Sequence, residues 1–448
     1  MLQYHESNVF SFGVIMERDY YMYLGIGEKQ YFSLPAAWEL LHCVEDKEGT
    51  PTASVQQMTI EALMQPKGTD PFQDLLSGVK SVAVIVDDGT RPTPVKAILE
   101  VLLNRLADNG FSRKHIIIVV ALGTHEAMNR EALEERLGSE VLSHYKVVQH
   151  NARQSDLVPI TVPGEKRMVK INPEVAQADL RVGISSILPH PMAGYGGGPK
   201  IVMPGVSDFE YIRDHHVKYV IHPRSVAGTT QGNPFHEGCM RAARAIRLDF
   251  SINCVYNQQG QIIRIIGGSL EAAFGEAVKV CFDRLGHRFE EKVDVTITSS
   301  YPHTHGHQIF KGLSAPDIVT KDTGAILIVA PVVTPISAEF LNSFREVEKK
   351  SHNNAAAYVR DTLSKGKAFL PDKPIDFNMA MSTVFLRPQI RTILVSPAIP
   401  QEEAQIMGLE YASSIEEGLS LLEKAYPEAT VAIFPSGGLI VPIAAWER

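Results

Sequence analysis

Short apolar runs alternate with stretches of helical spacing from about residue 80 onward. Residues 81–88 are rich in Val and Ile and predict a buried strand, and residues 95–109 have helical spacing that Gly110 ends. The same alternation predicts a helix at 129–137 and further strands at 115–122, 145–149 and 178–187. Strands and helices in this order favour an α/β domain with a largely parallel sheet.

A second unit of the same kind follows a polar stretch at 286–292. Before that stretch, runs at 249–256 and 261–266 predict a hairpin, and residues 270–285 predict a long helix. After it, apolar runs predict strands at 293–298, 325–330, 390–396 and 429–434. We therefore expect an α/β protein of two domains with largely parallel sheets and an active-site cleft between them. The N-terminal domain would be residues 1–286, completed by about 435–448, and the C-terminal domain residues 290–434.

Composition narrows the functional classes. The chain has 448 residues, 44% hydrophobic and 21% charged, and a formal net charge of −8. This balance is typical of a soluble globular protein and argues against a general nucleic-acid or membrane binder. Residues 1–13 lack the charged and apolar segments of a signal peptide, and no apolar run is long enough to span a bilayer. The four cysteines are scattered, which suits a reducing cytoplasm, and their spacing is not that of a metal site. They are Cys43, Cys239, Cys254 and Cys281.

The loop after the first predicted strand reads Asp-Asp-Gly-Thr-Arg-Pro-Thr-Pro at 87–94. Its hydroxyl groups and the N–H groups at the start of the following helix can hold an anion. The planar guanidinium of Arg91 suits a carboxylate or a phosphate. The alternative is a capped helix with an Asp–Arg pair on its surface.

Two histidines follow predicted strands, His125 in Gly-Thr-His and His190 in Leu-Pro-His. In open α/β sheets, ligands bind beyond the carboxyl ends of the strands, so both side chains can reach one cleft. Imidazole titrates near neutral pH, and such a pair can take and return protons on opposite faces of a substrate. Taken singly, each is equally a loop histidine with a satisfied hydrogen bond.

A glycine-rich segment, Pro-His-Pro-Met-Ala-Gly-Tyr-Gly-Gly-Gly-Pro-Lys, occupies 189–200. Its glycines allow the backbone to approach a ligand closely, and Lys200 can neutralise a phosphate or act as an amine nucleophile. The segment matches neither the Walker A spacing nor the dinucleotide fingerprint. The alternative is a flexible surface turn.

Histidines gather in two further places. Residues 208–220 predict a helix with His215 and His216, of which only one can face a cleft and could ligate a transition metal. His303, His305 and His307 alternate, which in an extended segment would suit zinc. A helical segment beginning near His307 would instead place Gln308 and Lys311 on one face, where both can meet a ligand. The zinc site and the ligand-binding helix both remain open.

Four of these segments, in this order, resemble the lactate racemase family: DDGTRPTP at 87–94, GTH at 123–125, PHPMAGYGGGPKIVMPG at 189–205, and SSYP with HQIFK within 299–311. The cofactor of that family is a nickel-pincer nucleotide, a pyridinium mononucleotide that grips nickel through sulfur, carbon and sulfur. The resemblance implies that Lys200 carries it covalently and that His216, or else His215, supplies the nitrogen ligand to nickel.

The resemblance also implies roles for the other residues. His125 and His190 would be the acid/base pair. The nucleotide would contact Asp88, Thr90, Gly196, Gly197 and Gly198, and the substrate would contact Arg91, His307, Gln308 and Lys311. The implied reaction is racemisation of a 2-hydroxy acid: one histidine takes the hydroxyl proton, hydride leaves C2 for the cofactor, and both return on the opposite face. Enzymes of cofactor biosynthesis would be needed for maturation.

The chain departs from the family on the substrate side. His307 stands where the family often has Tyr, Thr304 lies near the place of an Asp, and Phe377 lies near the place of a Trp. These changes favour a substrate larger or more polar than lactate, such as a sugar acid or another hydroxy acid. Two alternatives remain: a zinc-dependent hydrolase or lyase built on His303, His305 and His307, and a binding homologue without cofactor.

Overall fold

A computed structural model describes residues 20–25, 27–45 and 51–447. The stretch 1–13, in which no signal peptide is predicted, lies outside the described residues. The strands, in chain order, are β1 Tyr20–Gly25, β2 Glu28–Phe32, β3 Trp38–Cys43, β4 Val82–Asp87, β5 Ile116–Ala121, β6 Lys146–Gln149, β7 Val158–Ile160, β8 Val169–Ile171, β9 Leu180–Ser186, β10 Pro189–His190, β11 Gly194–Tyr195, β12 Phe250–Tyr256, β13 Ile262–Gly268, β14 Gly286–Phe289, β15 Val293–Ser299, β16 Thr320–Val329, β17 Arg391–Val395, β18 Glu410–Ala412, β19 Ala429–Phe434 and β20 Val441–Ala444. The helices are α1 Val55–Met64, α2 Val95–Asp108, α3 Arg130–Leu137, α4 Ser139–His144, α5 Pro173–Gln177, α6 Phe209–Tyr219, α7 Pro234–Ala245, α8 Leu270–Leu285, α9 Pro316–Val319, α10 Ala338–Ser351, α11 Ala355–Ser364, α12 Ile375–Phe385, α13 Gln401–Ile406 and α14 Ile415–Ala425.

The first sheet has the strand order β13-β12-β9-β4-β5-β6. Its strands run parallel except for β13, which pairs antiparallel with β12 as the predicted hairpin requires. The central strand β4 is buried at every position, because helices cover both faces of such a sheet. The expectation of a largely parallel sheet is confirmed.

The second sheet has the strand order β18-β17-β16-β15-β19-β3, and all its strands run parallel. Its edge strand β3 comes from residues 38–43, which the sequence analysis assigned to the N-terminal domain. Trp38 fixes this strand: its side chain is buried and its Nε1–H donates to the carbonyl of Tyr426 at 2.8 Å. The assignment of residues 38–43 to the N-terminal domain is therefore corrected: they belong to the second sheet, where β3 pairs with the edge of β19 that would otherwise stay unpaired.

The end of the chain returns toward the first sheet. Strand β20 pairs in parallel with β14, the segment that joins the two sheets. Leu439 and Val441 are buried in the same hydrophobic cluster as the residues of β4 and β9. The predicted division into residues 1–286 and 290–434 otherwise stays a prediction.

The first sheet presents the carboxyl ends of β4, β5 and β9 toward the second half of the molecule. Opposite them lie a 3-10 helix, Gly306–Leu313, and helix α12, which contact each other. Helix α12 also contacts α6 of the first half. Within the described ranges, no helix combines the length and the apolar character needed to cross a bilayer.

Candidate active site

A cavity of about 380 Å³ lies between the two halves of the molecule. One wall is formed by the loops that follow β4, β5 and β9, and the other by the 3-10 helix Gly306–Leu313 and by α12. Ligand sites of open α/β sheets lie at this position, beyond the carboxyl ends of the strands. Most of the residues singled out in the sequence line this cavity.

The loop after β4 is held by Arg136, a residue of α3. Its guanidinium donates to the carbonyls of Arg91 and Thr93, each at 2.8 Å, and pairs with the carboxylate of Asp87. The Thr93 hydroxyl also donates to Asp87 Oδ2 at 2.6 Å. These bonds fix the backbone on both sides of Arg91, whose side chain lines the cavity.

His125 and Asp88 form a pair at the ends of β5 and β4. Nδ1–H of His125 donates to Asp88 Oδ2 at 2.6 Å, which leaves Nε2 to face the cavity. Burial disfavours the imidazolium, but the charge and hydrogen bond of Asp88, helped by the charge of Asp376, outweigh it and raise the pKa of His125. This arrangement suits an acid/base group at Nε2, because the carboxylate orients the ring and stabilises its cation.

His190 is held in a different state. It is buried in the short β10–β11 ladder, and its Nδ1 accepts the backbone N–H groups of Met192 at 3.2 Å and Ala193 at 3.1 Å. Burial, with the nearby charges of Lys200 and Lys311, lowers its pKa well below the ordinary value. The ring is therefore neutral, with its proton on Nε2.

Two glycines of the segment 189–200 are required by backbone geometry. Gly194 has φ of 74°, and a Cβ there would lie 2.1 Å from the carbonyl oxygen of Thr229. Gly197 has φ of 70°, and a Cβ there would lie 2.5 Å from the carbonyl oxygen of Ser186. Only glycine relieves both constraints, so this segment is a built turn on the cavity wall rather than a flexible surface turn.

Two residues that the resemblance assigned to the nucleotide lie off the cavity wall. Thr90 uses its N–H, at 2.8 Å, and its hydroxyl to bond Asp88 Oδ1. Gly198 lies against Phe274, whose ring a Cβ would approach to 2.2 Å. Asp88, Gly196 and Gly197 do line the cavity. Thr90 and Gly198 hold Asp88 and the turn in place, and their expected contact with the nucleotide stays a prediction.

Lys200 projects into the cavity from the 3-10 helix Gly198–Ile201, and its Nζ lies 5.0 Å from the ring centroid of Phe235. Burial lowers the pKa of Lys200 to about 8, with a further contribution from the charge of Arg91. No acidic side chain in the described part of the chain pairs with this amine. Such an amine is unprotonated often enough near neutral pH to act as a nucleophile.

The structure separates the two adjacent histidines of α6. His216 lines the cavity, and its Nδ1–H donates to the carbonyl of Ile212 at 2.7 Å, so the lone pair is on Nε2. Burial and the charge of Lys200 lower its pKa to about 3. His215 instead packs between aromatic rings, with Phe235 at 4.5 Å and Tyr219 at 5.0 Å. Of these two histidines, His216 lines the cavity and His215 does not.

The opposite wall carries His307, Gln308 and Lys311. Burial, together with the charges of Arg91 and Lys200, lowers the pKa of Lys311 well below its ordinary value. The charges of Arg91 and Lys200 thus act on Lys311, and those of Asp376 and Asp88 oppose them only in part. An anionic ligand would relieve this repulsion.

A family model described as the lactate racemase N-terminal domain matches residues 27–228, which carry three of the four motifs. The lactate racemase of Thermoanaerobacterium thermosaccharolyticum is 26% identical over 399 residues, 87% of this chain and 90% of the relative. That of Lactiplantibacillus plantarum is 28% identical over 408 residues, 86% of this chain and 91% of the relative. The chain is therefore similar to lactate racemases over most of its length. It is accordingly an isomerase of the racemase type.

Solved structures agree with this similarity at the level of the fold. The lactate racemase apoprotein from T. thermosaccharolyticum superimposes with a TM-score of 0.83 at 23% identity, covering 95% of this chain and all of that one. A Thermotoga maritima protein from a structural genomics programme gives 0.63 at 20% identity, covering 89% and 99% of the two chains. The expected α/β architecture is confirmed.

The zinc site considered as an alternative in the sequence analysis is wrong. His303 is buried against Gly438, where a Cβ would approach its Cδ2 to 2.7 Å, and the Nδ1 of His305 lies 3.2 Å from the Thr304 hydroxyl. His307 alone of the three lines the cavity. In residues 20–25, 27–45 and 51–447, no group of three or more His, Cys, Asp or Glu side chains is arranged to hold a metal ion. The turns at Pro302 and Gly306 break the extended register that convergence would need.

Sequence reasoning missed three residues of the site. Arg136 clamps the loop after β4, Asp376 lies against His307 and His125, and Asp317 lines the far end of the cavity. Asp376 adjoins Phe377, which the comparison with the family had marked as a substituted position. For the other two no local motif exists, because an Arg in a helix and an Asp at a helix start are ordinary surface features.

Proposed function

We propose that the chain is a racemase or epimerase that inverts C2 of a 2-hydroxy acid, with a nickel-pincer nucleotide attached to Lys200. The observation that carries the proposal is the convergence of Lys200, His216, His125 and His190 on one cavity. The proposed substrate is a small-molecule 2-hydroxy acid more polar than lactate, and maturation would need the enzymes that make the cofactor.

The cavity fits the cofactor by the chemistry of its donors. Lys200 has an amine with a pKa of about 8 and no acidic partner in the described residues, as covalent attachment through nitrogen requires. His216 directs the Nε2 lone pair of a neutral ring into the same cavity, as a nitrogen ligand to nickel(II) must. Asp88, Gly196 and Gly197 would contact the nucleotide. When bound, the group supplies a hydride acceptor and donor for C2.

Arg91, Gln308 and Lys311 would bind the substrate. The two cations would pair with the C1 carboxylate, and the side-chain Oε1 of Gln308 is buried without a hydrogen-bond partner among the described residues. A substrate hydroxyl or a protein-bound water would satisfy that oxygen. Fixing the carboxylate leaves C2 free to present either face.

The proton of the C2 hydroxyl would pass to His125 Nε2 on one face, and Asp88 would stabilise the resulting imidazolium. His190 would serve the opposite face as the second acid/base residue. In the direction that begins with proton uptake by His125, His190 would start as the imidazolium and give its Nε2 proton to the substrate oxygen on the opposite face, which leaves the neutral ring that burial favours. The two histidines would therefore begin that direction in opposite protonation states, His125 neutral and His190 protonated.

The experiment is intact-mass analysis with nickel determination on protein produced together with the cofactor's biosynthetic enzymes. The expected result is one adduct, lost in Lys200→Ala but kept in the exposed control Lys424→Ala, and one nickel per chain. Protein with neither adduct nor nickel under these conditions would contradict the proposal and favour the binding homologue without cofactor. Chiral analysis of 2-hydroxy acids and aldonic acids then identifies the substrate.

We also propose that the protein works in the cytoplasm. All four cysteines are free thiols, and three of them are buried. A reducing compartment keeps such thiols reduced.

A further inference from the structure

Asp376 reaches from one half of the molecule to the other. It stands in the first turn of α12, and its Oδ2 accepts the Nε2–H of His307 at 2.6 Å. The same oxygen lies 3.6 Å from Nε2 of His125, and Oδ1 accepts the hydroxyl of Thr124 at 3.5 Å.

The position of Asp376 is fixed by the packing of its partner. The ring of His307 stacks on Phe340 with centroids 4.9 Å apart and meets Phe377 edge-on at 5.0 Å. Because the ring cannot rotate freely, it holds the carboxylate at one place on the cavity wall. Burial disfavours the anion, but the charges of His307 and His125 and the bond to His307 outweigh it and lower the pKa of Asp376. The group is a fixed anion.

This anion lies beside the atom that exchanges the substrate proton. In the proposed function, the C2 hydroxyl meets His125 Nε2 and the C1 carboxylate meets Arg91 and Lys311. With these two groups placed, the remaining substituent on C2 would point to the part of the cavity wall that Asp376 lines.

We propose that Asp376 is a specificity-determining residue that selects the substituent on C2 of the substrate. It favours a neutral substituent with a hydroxyl group on C3, as in glycerate and the longer aldonic acids, and it excludes a second carboxylate. This inference rests on the proposed racemase function.

The selection follows from what a carboxylate can bond. Its oxygens only accept hydrogen bonds, so a C3 hydroxyl can donate to Asp376, whereas a methyl group leaves the oxygens with no added partner. A second carboxylate would lie against Asp376 at short range, where like charges in a partly buried site repel strongly. Sites built to bond a substrate hydroxyl discriminate well against analogues that lack it.

The test compares three acids that share the C2 centre: lactate with a methyl group, glycerate with a hydroxymethyl group, and malate with a carboxymethyl group. Racemisation is followed by chiral analysis with the nickel-loaded enzyme, and binding by calorimetry with cofactor-free protein. For the wild type we expect kcat/KM for glycerate to exceed that for lactate and for malate by at least tenfold, with dissociation constants in the same order. Asp376→Asn should raise kcat/KM for malate, relative to glycerate, by at least tenfold.

Two further variants support the comparison. Asp376→Glu keeps the charge and should still exclude malate. Asp372→Asn removes an exposed carboxylate of the same segment, outside the cavity wall, and should leave all three ratios unchanged.

Three results would overturn the inference: wild-type enzyme that turns over malate as well as glycerate, equal binding of the two acids, or ratios in Asp376→Asn within threefold of the wild type. Failure of the proposed function would give a different result. In that case the nickel-loaded enzyme would racemise none of the three acids, while calorimetry would still report whether Asp376 sets the order in which the acids bind.

Discussion

The carboxylate of Asp88 accepts Nδ1–H of His125 at 2.6 Å, so the ring turns Nε2 toward the cavity. Asp88 is itself held by the N–H of Thr90 at 2.8 Å. The relationship joins the ends of two neighbouring parallel strands and fixes both the tautomer and the direction of the ring. It is the arrangement in which a histidine accepts a proton most readily.

We expect His125→Ala to lower kcat by about 10²–10⁴-fold, because an acid/base group is lost. Asp88→Asn should give a loss of similar order, since an amide cannot stabilise the imidazolium. His115→Ala is the matched control, because His115 is exposed at the start of β5. Steady-state racemisation measures all three. Full activity in Asp88→Asn would contradict the role of the pair.

The pH dependence of the reaction should respond to Asp376. The pKa of His125 is raised, against the effect of burial, by Asp88 and Asp376, while Arg91 opposes the rise. Proton removal by His125 needs the neutral ring, so kcat/KM falls as the pH drops through this pKa. Asp376→Asn removes one negative charge and lowers the pKa of His125, which should move the acidic limb of the profile to lower pH. A limb that moves to higher pH would contradict the assignment of His125.

Substitution should distinguish the roles of the two histidines of α6. His216→Ala removes the proposed nickel ligand and should strongly reduce the nickel content of the co-produced protein with a small change in Tm. His215→Ala empties a site between aromatic rings and should cost roughly 2–4 kcal/mol of stability while nickel is retained. Metal analysis and thermal unfolding distinguish the two. Retention of nickel in His216→Ala with loss in His215→Ala would reverse the assignment.

Lys200 should react as an amine near neutral pH. With a pKa of about 8, roughly half of its amines are unprotonated at that pH. A small amine-directed reagent at pH 8 should therefore modify Lys200 of the cofactor-free protein as a preferred site, detected by peptide mass mapping. Lys200→Arg should lose this modification, and Lys424→Arg should keep it. Modification confined to exposed lysines would contradict the lowered pKa.

Asp317 should make stability depend on pH. Burial raises the pKa of Asp317 to about 7, with Arg387 opposing. A folded-state pKa above the unfolded value means that the native protein binds more protons, so stability falls as the pH rises from about 4 to 7. Asp317→Asn removes this dependence, and its gain in unfolding free energy should be about 2–3 kcal/mol larger at pH 8 than at pH 5. Urea unfolding of the cofactor-free protein measures the free energy of unfolding at the two pH values, with Asp372→Asn as the control. Equal gains at pH 5 and pH 8 would contradict the raised pKa of Asp317.

The fold was largely predictable because its strands are buried runs bounded by turns. The helix predicted at 270–285 has the bounds of α8, and the strands that were predicted end within a few residues of their observed ends, whereas the short edge strand β18 was not predicted. Strand β3 escaped prediction because its partner β19 lies nearly 400 residues away: Trp38 pairs with Ala429. No local pattern carries that information.

The sequence predicted which residues line the site better than it predicted which of them contact one another. His125, His190, Lys200 and His216 all reach the cavity, as strand ends and a glycine turn indicated. The choice between His215 and His216 depended on helix rotation, which neighbouring positions in a sequence cannot fix. Asp376 joins Thr124 across a separation of 252 residues, so only the folded chain shows the contact.

The edge strand β3 has a mechanical consequence. Because residues 38–43 belong to the second sheet and Leu439 and Val441 pack with the first, the chain crosses between the two halves between β3 and β4, at β14, and between β19 and β20. A single crossing would leave the two halves joined by one flexible link. Several crossings, together with a hydrophobic cluster that contains residues of both halves, hold the wall that carries Asp376 and Lys311 in register with the wall that carries Lys200 and His125.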